Sequence, residues 1–456
     1  MPLFESIPYT NFHEHNLAWL IGQVKELTQL VQDFDGAVEE AVKKYIEEHP
    51  DVFPFVTPQM YGAKADGSEP ETALIQRALD SGYDVFFPTD HGEVYLTDAV
   101  LTIPKGCHKL YGSGTWRGTT GTGVIKRVYS TSGLDTNASA IFKLADDQTG
   151  GLHIANLRVI GGTGSANSGI FLNAYSSDVV DKDIRLSNVA LVDFTLGIKF
   201  LGRGLVCDGV SFGSCTNCVE AYYDGTDSYD SRAIWFNNCR FHSITGTAVN
   251  IKSGHAYGLK MEGCLADKAF HTLLASAEAA YHWSVCNNTV LSAYRASGAS
   301  YLIDLAGAVG CVFANNHFRS VGTGSGKLYH FIYIHGGDDA TGNVICDNIF
   351  DGSDQSAVRL TGNTSAIGNA ICSNVFRNVG DSANSNYCAI QLSNTTNKGF
   401  TILGNNVADG GNNKRVLSAG SVTAISYSTV VGNIGSVPST AYDNTCSVAN
   451  NVTSIS

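Results

Sequence analysis

Apolar residues in the first fifty positions recur in alternating steps of three and four. Leu17, Val24, Val31, Val38 and Tyr45 fall on one heptad position, and Leu20, Leu27, Phe34 and Ala41 on the other. Charged residues such as Glu39, Glu40, Lys43 and Lys44 flank this seam. The pattern predicts a helix that self-associates as a coiled coil, although an amphipathic helix lying on its own domain would read alike. Its mixed residue types leave the number of strands open. The prolines of HPDVFPFVTP, His49 to Pro58, end the helix, because proline cannot continue one.

Beyond them the texture changes to short β-branched runs broken by Gly, Asn, Ser and Asp. One phrase, apolar-x-(Gly/Asn)-z-x-apolar, returns with z at Leu157, Val189, Val210, Cys239, Cys264, Asn288, Asn316, Asn348, Asn374, Asn405 and Asn433, a mean spacing of about 28 residues. Periods of this size belong to stacked solenoids. The residue just before z is Gly, Asn or Asp in ten of the eleven phrases, Ser373 being the other. Those types tolerate left-handed backbone, so a sharp bend is expected once per repeat. The apolar residues three before and two after z, as in Phe236/Phe241, Phe313/Phe318 and Ile345/Phe350, are expected to point inward. From Asn288 onward z is always Asn. Stacked about 4.8 Å apart, these amides would form a hydrogen-bonded ladder within the bend. The fold class expected is all-β: a parallel β-helix of about eleven or more rungs.

Composition narrows the function. The chain has 456 residues, 49 of them Gly, with 16% charged residues and a formal charge of −13, which argues against nucleic-acid binding. No apolar run is long enough to insert in a membrane, and the N-terminus lacks the basic-then-apolar pattern of a secretory signal. The 12 Cys are scattered singly through apolar phrases, as buried thiols in a reducing compartment would be. Cys215 and Cys218 form a lone C-x-x-C with no second pair. No metal or other cofactor is expected.

MYGAKADGSEPETALIQRALDSGYDVFFP, Met60 to Pro88, resembles the opening of the pectate-lyase-like superfamily. Tyr61, Gly62, Ala63, Asp66, Gly67, Thr72, Ile75, Gln76 and Ala78 match its Y-G-A-x-x-D-G and Thr-x-x-Ile-Gln-x-Ala phrases, and YGSGTW (Tyr111 to Trp116) looks like its first Gly-rich turn. The resemblance implies a right-handed β-helix whose N-terminal end is capped by a helix. A coiled-coil stem ahead of this opening resembles bacteriophage tail spikes and virion appendages. It implies a homotrimer that binds bacterial surface polysaccharide and often cleaves it. Residues 1–16 would attach to other tail or appendage proteins, 17–50 form the stem, 51–110 a linker and cap, and 111–456 the β-helix. Such a protein would be assembled in the host cytoplasm and reside in the virion.

Chemistry is less legible. Of the four polygalacturonase phrases only a D-D is present, Asp338 and Asp339 in GGDDATGN, which a solvated turn would explain as well. In the repeat frame Glu278 and Asp338 stand ten before z, Asp339 nine before and Asp304 twelve before. Glu278, Asp304 and Asp338 would therefore share a column on successive rungs, with carboxylates about 5 or 10 Å apart, bracketing glycosidase separations. Ordinary acidic loops are the plain alternative. The loop EAYYDGTDSYDSR offers Tyr222, Tyr223 and Tyr229 to stack on sugars, and Asp227 and Asp230 to accept from hydroxyls. Three past z, Arg319, Asp351 and Arg377 are expected to form an outward charge ladder, with Arg319 and Arg377 as secondary grips on an acidic sugar. The expected activity is glycosidic hydrolysis. The alternatives are a non-catalytic receptor-binding or structural fibre, and a polysaccharide lyase.

Overall fold

The computed structural model describes residues 25, 26, 29, 44, 55–88, 93–113, 124–127, 139–145, 151–161, 168–173, 184–202, 204–222, 234–253, 257–268, 270–294, 301–321, 326–336, 339–362, 365–380, 388–394, 396–408, 415–418, 425–435 and 446–451. The chain divides into two units, Met1–Val56 and Thr57–Ser456. In the first, Lys25, Glu26, Gln29 and Lys44 are helical and exposed. The heptad seam and the attachment segment 1–16 lie outside the described residues.

The second unit is built from coils that each return to the same sheets. One coil runs through Tyr301–Leu305, Ala308–Val309, Val312–Ala314 and His317–Ser320. The next runs through His330–His335, Ala340–Thr341, Val344–Cys346 and Ile349–Asp351, and each strand pairs in parallel with its counterpart. Among the described residues the sheets have 15, 13, 12 and 5 strands. They are called here first (containing Val344–Cys346), second (Ile349–Asp351), third (His330–His335) and fourth (Ala340–Thr341). The fold is a right-handed-type parallel β-solenoid, the hand that parallel crossovers adopt.

The bends explain why the chain repeats itself. All eleven residues preceding z have positive φ, from 51° at Asn238 to 67° at Gly432, with Ser373 at 54°. Each bend turns the chain from the first sheet into the second. The seven amides of Asn288, Asn316, Asn348, Asn374, Asn405, Asn433 and Asn451 form one ladder. Each Nδ2 donates to the next Oδ1 at 2.9–3.0 Å. The same oxygen accepts the preceding Asn backbone N–H at 2.9–3.1 Å. A second, shorter ladder, at Asn343 and Asn369, turns the fourth sheet into the first: the Asn343 Nδ2 donates to the Asn369 Oδ1 at 2.9 Å.

Between bends the predicted inward residues fill the barrel. Phe236, Phe241, Phe313, Phe318, Ile345 and Phe350 are at most 1% exposed. Phe350 and Phe376, one coil apart, stack at 5.2 Å between centroids. None of the twelve cysteines is in a disulfide, and Cys239 and Cys264 occupy buried z positions.

Pairing begins earlier than the bend phrase does. Asp66–Pro70 pairs with Val94–Thr97, and Asp84–Phe87 with Lys109–Gly112. The solenoid therefore includes much of the segment 51–110 read as linker and cap. These first coils turn at other residues, such as Ala65 and Gly82 with φ of 56° and 78°. The helix Thr72–Leu79 buries Ile75, Ala78 and Leu79 on one face. Its Gln76 amide brackets Thr102 on the edge strand of the third sheet, accepting from the Thr102 N–H and donating to its carbonyl. That pairing satisfies backbone groups an edge strand would leave open.

Candidate functional site

In the third sheet, alternation leaves one outward column between buried ones. Asp304 lies between buried Ile303 and Leu305, Tyr333 between Ile332 and Ile334, and Arg359 between Val358 and Leu360. Asp304, Tyr333 and Arg359 are direct register neighbours on three consecutive coils. Around them gather aromatic rings. Tyr301 lies 4.2 Å from Tyr333 between centroids, His335 4.6 Å from Tyr333, and Tyr301 5.6 Å from His330 at an interplanar angle of 6°. The Arg359 guanidinium sits 5.7 Å from the Tyr333 centroid. The result is a half-exposed aromatic platform with a carboxylate at one end and a guanidinium at the other.

Its polar groups are held in place. The His335 Nε2 contacts the Asp304 Oδ1 at 2.9 Å. The His330 Nδ1–H donates to the Ser356 carbonyl at 2.6 Å, so its Nε2 is free to accept from the Arg359 Nη1 at 3.3 Å. Burial, opposed by the Ser356 bond and aided by the Arg359 charge, holds the His330 pKa down to about 3. Burial, then the Tyr333 and Asp304 charges, push the Tyr301 hydroxyl up.

That depressed histidine makes a pH prediction. Unfolded chains take up a proton near pH 6.5, whereas the native state resists until about pH 3. More protons bind the unfolded state in this window, so stability falls as pH drops, by up to about 1.4 kcal/mol per unit from this group. Denaturant midpoints at pH 7, 5 and 4 should decline less steeply for His330→Gln than for the parent. Equal slopes would show that the ring is not kept neutral.

The same register column continues through earlier coils as Lys143, Phe171, Lys199, Glu220, Asn250 and Ala275, of which Phe171 and Glu220 are buried. The Lys199 ammonium lies 5.1 Å from the Tyr222 centroid and 5.7 Å from that of Phe171. Glu220 accepts from the Tyr222 hydroxyl at 3.1 Å and from Asn217 at 3.2 Å, and lies 3.5 Å from the Lys252 Nζ. Burial, then the Glu220 charge, push the Tyr222 pKa up to about 12.

Several predicted residues fall elsewhere. Asp304 does not share a column with Glu278: its register neighbour in the previous coil is Ala275. The corner between third and fourth sheets varies in length, which defeats counting back from z. Ser276 to Ala280, Leu305 to Ala308 and Ile334 to Ala340 are aligned intervals of unequal length. Glu278 and Asp339 both lie in that corner, two coils apart. Asp339 is exposed and accepts from the Ser365 hydroxyl at 2.7 Å. Asp338, Tyr223, Asp227, Tyr229 and Asp230 lie outside the described residues. Arg319, Asp351 and Arg377 do form a register ladder, with Arg319 Nε 3.8 Å from Asp351. It lies on the second sheet, so the two arginines are not brought to the Asp304 face.

The sequence reading missed Tyr301, His330, Tyr333, His335 and Arg359. The signal available was the run YHFIYIH, where aromatic and imidazole residues alternate with Ile. Among the described residues no group of three ligand-type side chains is placed to hold a metal ion.

No protein-family model matches this sequence, and no curated protein matches it. Solved structures do resemble the chain. One is a mutant DFA-IIIase from Arthrobacter chlorophenolicus A6 in complex with DFA-III, 15% identical, with TM-score 0.53 over 80% of this chain and 99% of the other. The same enzyme in complex with GF2 is 14% identical with TM-score 0.53, over 86% of this chain and 98% of the other. Tailspike protein 2 of Escherichia coli O157:H7 bacteriophage CAB120 is 13% identical with TM-score 0.43, over 87% of this chain and 46% of the tailspike. At these identities the likeness concerns the fold alone.

Proposed function

We propose that this chain is a phage tail spike or virion appendage that binds a bacterial surface polysaccharide and hydrolyses it. The observation that carries the reading is the Tyr301–Tyr333 platform, edged by Asp304, His335 and Arg359. Aromatic faces beside hydrogen-bonding groups on a rigid scaffold suit the apolar faces and hydroxyl rims of sugars. Columns that run along the axis suit a polymer better than a single small molecule. The resemblance of Met60 to Pro88 and the heptads ahead of it supports the appendage setting. On this reading the protein is a homotrimer joined through a coiled-coil stem, the helix Thr72–Leu79 caps the barrel, and the N-terminus attaches to other virion proteins.

Hydrolysis is supported by two acids in the corner that follows the third-sheet strands. Glu278 and Asp339, on alternate coils of one corner, are separated by about 10 Å of coil spacing. This is close to the 6.5–9.5 Å or so of inverting glycosidases. Purified capsule or wall polymer of susceptible bacteria, incubated with the protein and sized by chromatography, should yield short oligosaccharides without a new double bond. Binding with no size change would make the protein a receptor-binding fibre, and unsaturated ends would make it a lyase.

A further inference from the structure

We infer that the third-sheet face takes an anionic glycan, with an acidic sugar's carboxylate on Arg359 and further negative groups near Lys199 and Lys252. The inference rests on the glycan-binding reading and specifies its ligand.

Arg359 is the first reason. One arm of its guanidinium, Nη1, is committed to His330, which accepts because its own N–H is committed to Ser356. That chain of bonds fixes the plane of the guanidinium beside the Tyr333 ring. Its Nε is sealed from solvent while the residue as a whole is half-buried, so an incoming ligand meets the outer arm of the guanidinium. A guanidinium whose plane and inner arm are fixed in this way, with its charge unpaired by any described acid, suits a carboxylate through charge-assisted hydrogen bonds. Arg158 and Arg240 also carry a buried Nε without a partner, but both lie on the second sheet, away from the platform.

Charge distribution is the second reason. The protein as a whole carries −13, yet this face collects Lys143, Lys199 and Lys252 with Arg359. The described acids among them are engaged: Glu220 contacts Lys252 and Tyr222, and Asp304 contacts His335. Lys199 and Arg359 are six coils apart in one column, about 29 Å at strand spacing. Aromatic rings accompany both ends, Phe171 and Tyr222 at Lys199 and Tyr333 at Arg359. An extended polymer with acidic groups at intervals fits that spacing. A neutral one gains nothing from the cations. Against an overall negative protein, this excess of cations among the described residues also steers a polyanion to one face.

The test is an array of bacterial capsular and O-antigen glycans, half of them neutral and half bearing uronate, sialate or phosphate groups. It is probed with the full chain and with Arg359→Gln, the double variant Lys199→Gln/Lys252→Gln, and Tyr333→Ala. Binding should concentrate on anionic members and fall at least tenfold for Arg359→Gln and for the double variant. The double variant keeps the test valid if Arg359→Gln folds poorly. Neutral glycans bound, lost with Tyr333→Ala but kept with Arg359→Gln, would overturn the inference and leave the glycan reading standing. Anionic glycans bound equally by both charge variants would overturn it too. No binding to any member would defeat the glycan reading itself and the inference with it.

Discussion

Asn348→Ala should be among the most destabilising single substitutions in the solenoid, at about 4 kcal/mol. The side chain is fully buried and fills four roles. Its Nδ2 donates to the Phe313 carbonyl at 2.8 Å and to the Asn374 Oδ1 at 3.0 Å, while its Oδ1 accepts from the Asn316 N–H at 3.0 Å and Nδ2 at 2.9 Å. Alanine leaves two donors and a carbonyl buried without those partners, each worth about 1–3 kcal/mol when unsatisfied. The backbone at Asp347 is already held at φ 56°, so the bend cannot easily reorganise to compensate. Relaxation and an entering water recover part of the loss, which gives the figure of about 4. Asn451, the last member and only half-buried, should tolerate alanine at about 1 kcal/mol. The measurement is the denaturant midpoint together with hydrogen exchange at the Asn316 amide, since a stacked solenoid can open locally. A cost below about 1 kcal/mol with Asn316 protection intact would mean the ladder is not a source of stability.

This ladder could be read in advance because each of its requirements leaves a residue type behind. A left-handed bend demands Gly, Asn or Asp, and a stacked amide demands Asn, so one column of the fold is spelled directly in the chain. Even Ser373, the departure from type, holds φ 54°. The second ladder was readable by the same rule. Cys311, Asn343, Asn369 and Phe400 each stand five before z, and Gly310, Gly342, Gly368 and Gly399 precede them with φ of 64–67°. The candidate face obeyed no such rule. On the glycan-binding reading its residues Tyr301, Tyr333 and Arg359 would answer to a ligand rather than to the backbone, and no type repeats from coil to coil. The corner after them also changes length: Leu305 is three residues from Ala308, but its neighbour Ile334 is six from Ala340. Counting back from z therefore shifts the frame at the place where the acids lie. Asp304 was identified as a candidate, but its neighbours were misassigned for that reason.

Asp339→Asn is expected to lower oligosaccharide release by about 10²–10⁴-fold while leaving glycan binding within about twofold. General acid–base groups contribute rate enhancements of that size, and the substitution removes ionisation without altering volume. Asp339 is exposed, and its contact among described groups is the Ser365 hydroxyl, so asparagine should cost little stability there. Glu278→Gln, two coils away in the same corner, should have a comparable effect, because an inverting hydrolysis needs both an acid and a base. Asp338→Asn belongs in the same panel, since adjacent acids can exchange the role. Asp304→Asn should behave differently. It loosens the His335 contact beside Tyr333, and so should weaken binding along with release. The stereochemistry supplies an independent check: proton spectra of freshly cleaved product should show the anomer opposite to that of the polymer. Retention would require two carboxyl groups about 5 Å apart, a separation that the coil spacing between Glu278 and Asp339 does not provide. Retained configuration, or full activity in Glu278→Gln, Asp338→Asn and Asp339→Asn alike, would move the chemistry away from this corner. The platform would then bind a polymer that is cut elsewhere or not at all.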